Sequence, residues 1–489
     1  YRIQFRNGMT FDRAAALAPY LKDLGISHLY ASPILTATSG STHGYDITDP
    51  NEIDPAIGGR EGFDRMVKAL RNAQIGLILD IVPNHMATSL ENRWWRDVIE
   101  QGKNSAWAHY FDIDWTRPVT LPFLGDTFEA ELESGALALK RDPETGKPAF
   151  VYYDQAWPLN PQTLATGEQL LTSSDRDAIL ALHKAQSWRL MSWREAPRQL
   201  SWRRFFEITG LIGVRVEDPA VFDDTHRLIL ELVHSGIVDG LRIDHIDGLA
   251  DPLGYLQRLR QATGPECYIT VEKILAKGEQ LPADWPVSGT TGYEFIASLA
   301  EVLVDDNNLD QLQQVHDEAL GGAIDRHTAL REAKGLMVDR NFEGEFTTLL
   351  RLATELAGRN SMAVESDALR HALRELLLAF PVYRTYGTAE GLTAGDITLL
   401  NRVVDQVNAR EDKPDARALE VIIAILTGNL HESSLDTASL FRTRFQQLTG
   451  PLMAKSVEDT LFFRHNLDLA LNEVGADPTP RAISLSRCH

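Results

Sequence analysis

DDTHRLILELVHSGIVDGLRIDH, residues 223–245, decides the fold. Its first half reads as an amphipathic helix closed by Gly236, a residue suited to the left-handed turn that ends helices. Its second half is a short apolar strand that finishes on charge. Side chains alternate along a strand, so Leu241 and Ile243 face one way while Arg242 and Asp244 face the other.

The same unit of helix, glycine and apolar strand recurs elsewhere. TFDRAAALAPYLKDLG leads to ISHLYAS (26–32), with Thr10 as N-cap and Gly25 as the left-handed stop; REGFDRMVKALRNAQ leads to IGLILDIVPNH (75–85); DPLGYLQRLRQATG leads to PECYITVE (265–272). Alternating helices and apolar strands predict parallel βαβ units. Several such units with polar strand ends favour an α/β (β/α)8 TIM barrel over an open sheet, and place chemistry at the C-terminal strand ends.

Two regions break the rhythm. Residues 87–204, rich in Trp, Pro and Gly, read as an insertion after the third strand. Residues 296–478 carry helical periodicity, as in LDQLQQVHDEAL and ALRHALRELLLAF, and read as a helical insertion. The expected organisation is barrel over 1–86 and 205–295, these two insertions, and an atypical tail at 479–489. The barrel is expected to be incomplete at its C-terminus.

Composition narrows the chemistry. The 489 residues are 24% charged and 44% hydrophobic, and no window approaches the roughly 20 apolar residues of a membrane span. A formal charge of 48 − 69 = −21 repels polyanions, so nucleic acid and anionic membrane are poor partners and a neutral substrate fits. Cys267 and Cys488 are too few for a disulfide framework and lack zinc spacing. A reducing cytoplasm is expected, with no evident signal peptide before YRIQF and a start that reads as cut.

In GLRIDHIDG (240–248) the Arg242 guanidinium favours an ionised Asp244, which suits a nucleophile. A structural ion pair at a strand end reads equally well from this segment alone. Asp247, before Gly248, is expected to order the exit turn. Glu272 ends YITVE as a second carboxylate, and retaining glycoside chemistry needs a pair roughly 5–5.5 Å apart; alone, Glu272 and Lys273 read as a surface ion pair. DIVPNH delivers Asp80, Asn84 and His85, which can bond sugar hydroxyls, although Asp80 reads better as a brace to the next strand. HGYDITDP adds Tyr45, a ring able to stack on a sugar, and Asp46; both also fit plain turn chemistry. WW at 94–95 and YY at 152–153 offer stacking, or packing.

The order Tyr45, Asp80/Asn84/His85, Arg242/Asp244, Glu272 resembles the alpha-amylase family of (β/α)8 glycoside hydrolases and transglycosylases. YRIQF, SHLYASPIL, STHGYDITDPNEIDPAIGG, PNHM, RRFFEIT, GLRIDHIDGLADP, ITVEKIL, GTTGYEF, FPVYRTY and NEVGADP are similar to its maltooligosyl trehalose synthase branch, from residue 1 to about residue 478. The resemblance implies intramolecular transglucosylation of a maltooligosaccharide, turning its reducing-end α-1,4 linkage into an α,α-1,1 linkage by double displacement. It implies Asp244 as nucleophile, Glu272 as acid/base, and Tyr45, His85 and Arg242 as substrate-binding; Asn84 and His245 are further substrate-binding candidates, and Asp80 and Asp46 read as structural support. No cofactor or metal is implied.

An amylase-type hydrolase or glucanotransferase would share the same carboxylates. The resemblance also implies a third acidic residue, in a His-Asp pair shortly after NEVG, where this chain reads TPRAISLSRCH. A premature stop or frame change is the expectation there, and with it a third possibility, an inactive sugar-binding fragment with unpaired sheet edges. The one His-Asp dipeptide, His316-Asp317, reads as a solvated helix face.

Overall fold

The computed structural model describes residues 1–304, 306–467 and 469–476. The chain forms two compact units. The first comprises Tyr1–His245 with Gln257–Thr270, the second Ile246–Leu256 with the chain from Val271 onward.

Five strands order the first unit: β1 (Arg2–Ile3), β2 (His28–Ala31), β3 (Gly76–Ile81), β4 (Gly240–Ile243) and β5 (Tyr268–Val271), neighbours in that sequence. β1 to β4 run parallel. All four residues of β4 are buried, as expected for a parallel sheet covered on both faces. The helices predicted between the strands are α1 (Phe11–Asp23), α2 (Gly59–Asn72), α3 (Pro219–His234) and α4 (Pro252–Thr263). Thr10 caps α1 by accepting from the Arg13 amide, and Gly25 follows at φ +79°. α3 starts four residues before the run quoted above, because Asp218 accepts from the Ala220 amide and Pro219 fits a first turn that needs no amide donor.

The excursion after β3 builds small sheets of its own. His85–Ala87 pairs antiparallel with Ile208–Gly213, Val119–Leu124 runs parallel to Trp188–Ser192, and Leu137–Arg141, Pro148–Tyr152 and Gln155–Pro158 form an antiparallel meander. Trp94 and Trp95 are buried, Trp95 edge-on to Phe111 and Trp202; their role is packing.

Helices dominate the second unit. Residues 337–452 share one apolar core that includes Phe346, Leu373, Leu376, Ile422, Phe441 and Phe445. A π-helical turn, Val457–Leu461, follows the 22-residue helix Leu435–Ser456. One expectation fails here. His316 and Asp317 are not on a solvated face: their side chains are 13% and 25% exposed, and the imidazole lies 3.3 Å from Asn466 Oδ1 and near the His465 ring. His316 meets a later segment of the chain, while Gln311, Gln314 and Glu318 of the same helix stay exposed. Cys488 and the tail at 479–489 lie outside the described residues. No helix among the described residues is long and apolar enough to cross a membrane.

Candidate active site

Parallel register sets the first group of side chains. Asp80 on β3 and Arg242 on β4 are direct partners, so both side chains leave the same face at the strand ends. Arg242 Nη1 donates to Asp80 Oδ1 at 2.8 Å and to Asp244 Oδ1 at 2.7 Å, and all three residues are buried. Asp244 follows the last residue of β4, where its amide still bonds the Ile81 carbonyl. Two phenols complete the arrangement: Tyr30 from β2 and Tyr45 from the loop donate to Asp80 Oδ2 at 2.6 and 2.7 Å. Burial pushes the Asp80 carboxyl up, while the guanidinium and the phenols oppose that shift. Burial, then the Asp80 charge, pushes both phenols well above their ordinary range, which keeps them donors.

The second group surrounds His85. Asn84 accepts from Arg203 Nη1 at 2.7 Å and lies 3.3 Å from His85 Nδ1. Burial, with His245 and Arg203 nearby, holds the His85 imidazole well below its usual value, so it is neutral. Phe205 lies 4.4 Å from the His85 ring and 4.8 Å from the His245 ring, and Phe206 is 5.2 Å from His245. His245 has φ +47° and Phe206 φ +50°. Such left-handed conformations are uncommon outside glycine and are most unusual for a bulky ring. Asp46 accepts from the Ser41 hydroxyl at 2.5 Å and orders the loop that carries Tyr45.

The second unit holds Glu272. This half-buried carboxylate stands directly after β5, with the Tyr293 hydroxyl 3.5 Å from Oε1. Lys273 is not the surface partner of Glu272 that the dipeptide suggested. Its side chain is fully buried, with the ammonium 3.2 Å from Asp247 and 3.0 Å from Glu279. The Tyr386 hydroxyl donates to Asp247 at 2.6 Å, Arg384 donates to the carbonyls of Asp247, Leu249 and Ala250, and Gln447 donates to Gly248 O. The exit turn is thus ordered by distant residues as well as by Asp247. Nearby, Tyr383 donates to Glu458, a carboxylate on the π-helical turn that burial pushes up to about 7.

The comparisons with known proteins come to bear on this geometry. The family described as alpha amylase, catalytic domain, matches residues 16–164. A putative maltooligosyl trehalose synthase of Mycobacterium tuberculosis (strain CDC 1551 / Oshkosh) is 35% identical over 499 aligned positions, covering all of this chain and 60% of the relative. The solved maltooligosyltrehalose synthase from Arthrobacter ramosus superposes with a TM-score of 0.86 at 36% identity, covering 100% of this chain and 59% of that one. Along its whole length the chain is similar to maltooligosyl trehalose synthases. A hypothetical maltooligosyl trehalose synthase from Sulfolobus tokodaii gives a TM-score of 0.79 at 32% identity, with 100% and 59% coverage. β1 to β5 are accordingly strands of a (β/α)8 TIM barrel, and the chain spans about 60% of the length of the relatives it matches.

The first unit brings together Tyr45, Asp80, Arg242 and Asp244, and beside His85 it gathers Asn84 and His245. Glu272 belongs to the second unit. Tyr30, Phe205 with Phe206, and Glu458 are additions that the motif reading passed over. A signal existed for two of them: SHLYASPIL carries Tyr30 on the same strand face as Asp80 and Arg242, two residues short of their depth, and RRFFEIT sets two aromatics where the excursion returns to the barrel.

Proposed function

We propose that the chain carries the catalytic part of an intramolecular transglucosylase that converts the reducing-end α-1,4 linkage of a maltooligosaccharide into an α,α-1,1 linkage. The observation that carries this reading is the Arg242 guanidinium bonded to both Asp80 and Asp244 at adjoining strand ends, in a chain homologous along its whole length to such synthases. Asp244 attacks the anomeric carbon and Glu272 protonates the departing O4, leaving a glucan ester on Asp244 and a free glucose. The glucose turns and attacks through its anomeric hydroxyl, whose proton returns to Glu272. No proton is gained or lost overall.

Arg242 keeps Asp244 ionised for attack. Tyr45, Asn84, neutral His85 and His245 bind the sugar whose bond breaks, with Asp80 and Asp46 as support. The reaction asks for no cofactor or metal, and its partner is a neutral maltooligosaccharide, in keeping with a charge of −21 that disfavours nucleic acid and anionic membrane. Cytoplasmic residence fits the low cysteine content. An ordinary hydrolase or a glucanotransferase uses the same carboxylates, and reducing ends separate the three. Incubation with maltopentaose lowers the reducing-end count for the proposed reaction, raises it for hydrolysis and leaves it constant for transfer. The chain's span of about 60% of its relatives also supports a second reading, a sugar-binding but inactive portion, which predicts no turnover at all.

A further inference from the structure

Tyr152 and Tyr153 are an aromatic pair that the proposed reaction does not use. Unlike Trp94 and Trp95 they are not packed inside, and Tyr153 is 76% exposed. It stands at the tip of the hairpin that joins Pro148–Tyr152 to Gln155–Pro158, its ring 4.6 Å from the Tyr152 ring and its φ at +52°. Glycine and asparagine are the residues suited to such a turn position; a bulky ring there is strained and gains nothing from burial. Strain kept for the sake of an exposed ring points outward, to a ligand.

A continuous set of bonds joins this ring to a second exposed one. Trp193 is 57% exposed even though the Arg194 guanidinium lies 5.0 Å over its ring. Val119–Leu124 and Trp188–Ser192 run parallel, so Gly125 and Trp193 leave their strands at the same end. The Gly125 amide donates to the Tyr152 hydroxyl at 3.1 Å, and the Gly125 carbonyl accepts from Arg194 Nη1 at 2.5 Å. A Cβ at Gly125 would stand 2.9 Å from Glu131 Oε1 and 3.2 Å from the Tyr152 hydroxyl, so the join has no room for a side chain. Glu131 Oε1 braces it by accepting from the Tyr152 hydroxyl at 3.1 Å and from the Asp126 amide at 2.9 Å. Asp126, Asp154 and Arg194 are themselves exposed. At the other end of the same ladder Thr120 and Ser201 bond each other, just before Arg203 and Phe205 of the candidate active site. The strand between Thr120 and Gly125 sets the two places roughly 15 Å apart.

We propose that Tyr153 and Trp193 form a second carbohydrate-binding site, a platform on the excursion that holds an α-1,4-glucan chain away from the candidate active site. The two rings take the apolar faces of glucose units, and Arg194, Asp126 and Asp154 flank them as partners for hydroxyls. The choice of an α-glucan rests on the substrate proposed above; the site itself rests on the exposed rings, the strained turn and the bonds through Gly125.

Calorimetric titration of the full chain with β-cyclodextrin tests this, because that closed ring of α-1,4-linked glucose has no reducing end for the proposed reaction to use. The chain is expected to bind it, and binding should weaken about tenfold in Trp193→Ala and in Tyr153→Gly. Tyr153→Gly removes the strain together with the ring, so its melting temperature should hold or rise while binding falls. A ring kept only for structure would do the reverse, and a lowered melting temperature with binding intact overturns the proposal. So does the absence of binding by the unaltered chain, or binding unchanged in either variant. The measurement needs no turnover, so it is independent of the maltopentaose assay, whose failure would instead sink the transglucosylation reading.

Discussion

Arg242 serves two buried carboxylates from one nitrogen, Nη1. Truncating it leaves both charges without that partner in a poorly solvated site, so Arg242→Ala is expected to cost about 3–5 kcal/mol, read from urea unfolding. Asp244→Asn keeps the shape and removes the proposed nucleophile; reducing-end change with maltopentaose should fall by ~10³-fold or more while the melting temperature holds within a few degrees. Residue-scale reading from sequence was strongest where chemistry is local: strand alternation put Arg242 and Asp244 on one face, and the place of Asp80 at the end of GLILD suggested a brace to the next strand. It was weakest where a partner arrives from far along the chain. Tyr30 reaches Asp80 across 50 residues and Tyr386 reaches Asp247 across 139, and no spacing rule encodes either meeting. Lys273 misled for the same reason, since its ion partners Asp247 and Glu279 come from a turn and a loop that its own dipeptide does not reveal.

At the scale of elements, Gly240 shows why the strand that leads to Asp244 opens on glycine. A Cβ there would stand 2.7 Å from the Tyr268 carbonyl oxygen, a backbone atom of β5 that cannot turn aside. Gly240→Ala should therefore push the two strands apart and cost about 1–3 kcal/mol, visible as a lowered melting temperature. The helices and strands of the barrel were readable because each carries its own punctuation: Thr10 before α1, Gly25 after it, and short apolar strands that run into polar residues. The π-helical turn was not readable, since VEDTL carries no breaker and continues the helical run before it. Helix polarity misled at His316-Asp317, because a polar side chain can meet another segment as well as water.

For the molecule as a whole, acid is the expected weakness. Burial lowers His183 to about 3 and His226 to about 4 from 6.5, and His85 also lies well below its ordinary value. These rings stay neutral when folded but take up protons below about 6.5 when unfolded, so their contribution is complete above that pH and is lost as the pH falls toward 4. Each fully neutral ring then removes up to about 1.4 kcal/mol per pH unit. Melting temperatures measured from pH 7 to pH 4 should fall throughout, and His226→Phe, which stacks on Phe222 without a titrating group, should flatten the decline. The bonds that fix the turn after Asp244 carry a last consequence, for synthesis. Gln447 holds Gly248 from 199 residues downstream. At roughly 5–20 residues per second, that anchor leaves the ribosome about 10–40 s after the turn it secures. For that interval the nascent chain has made the turn but lacks this one of its fastenings, and protection by a chaperone would matter most in that window.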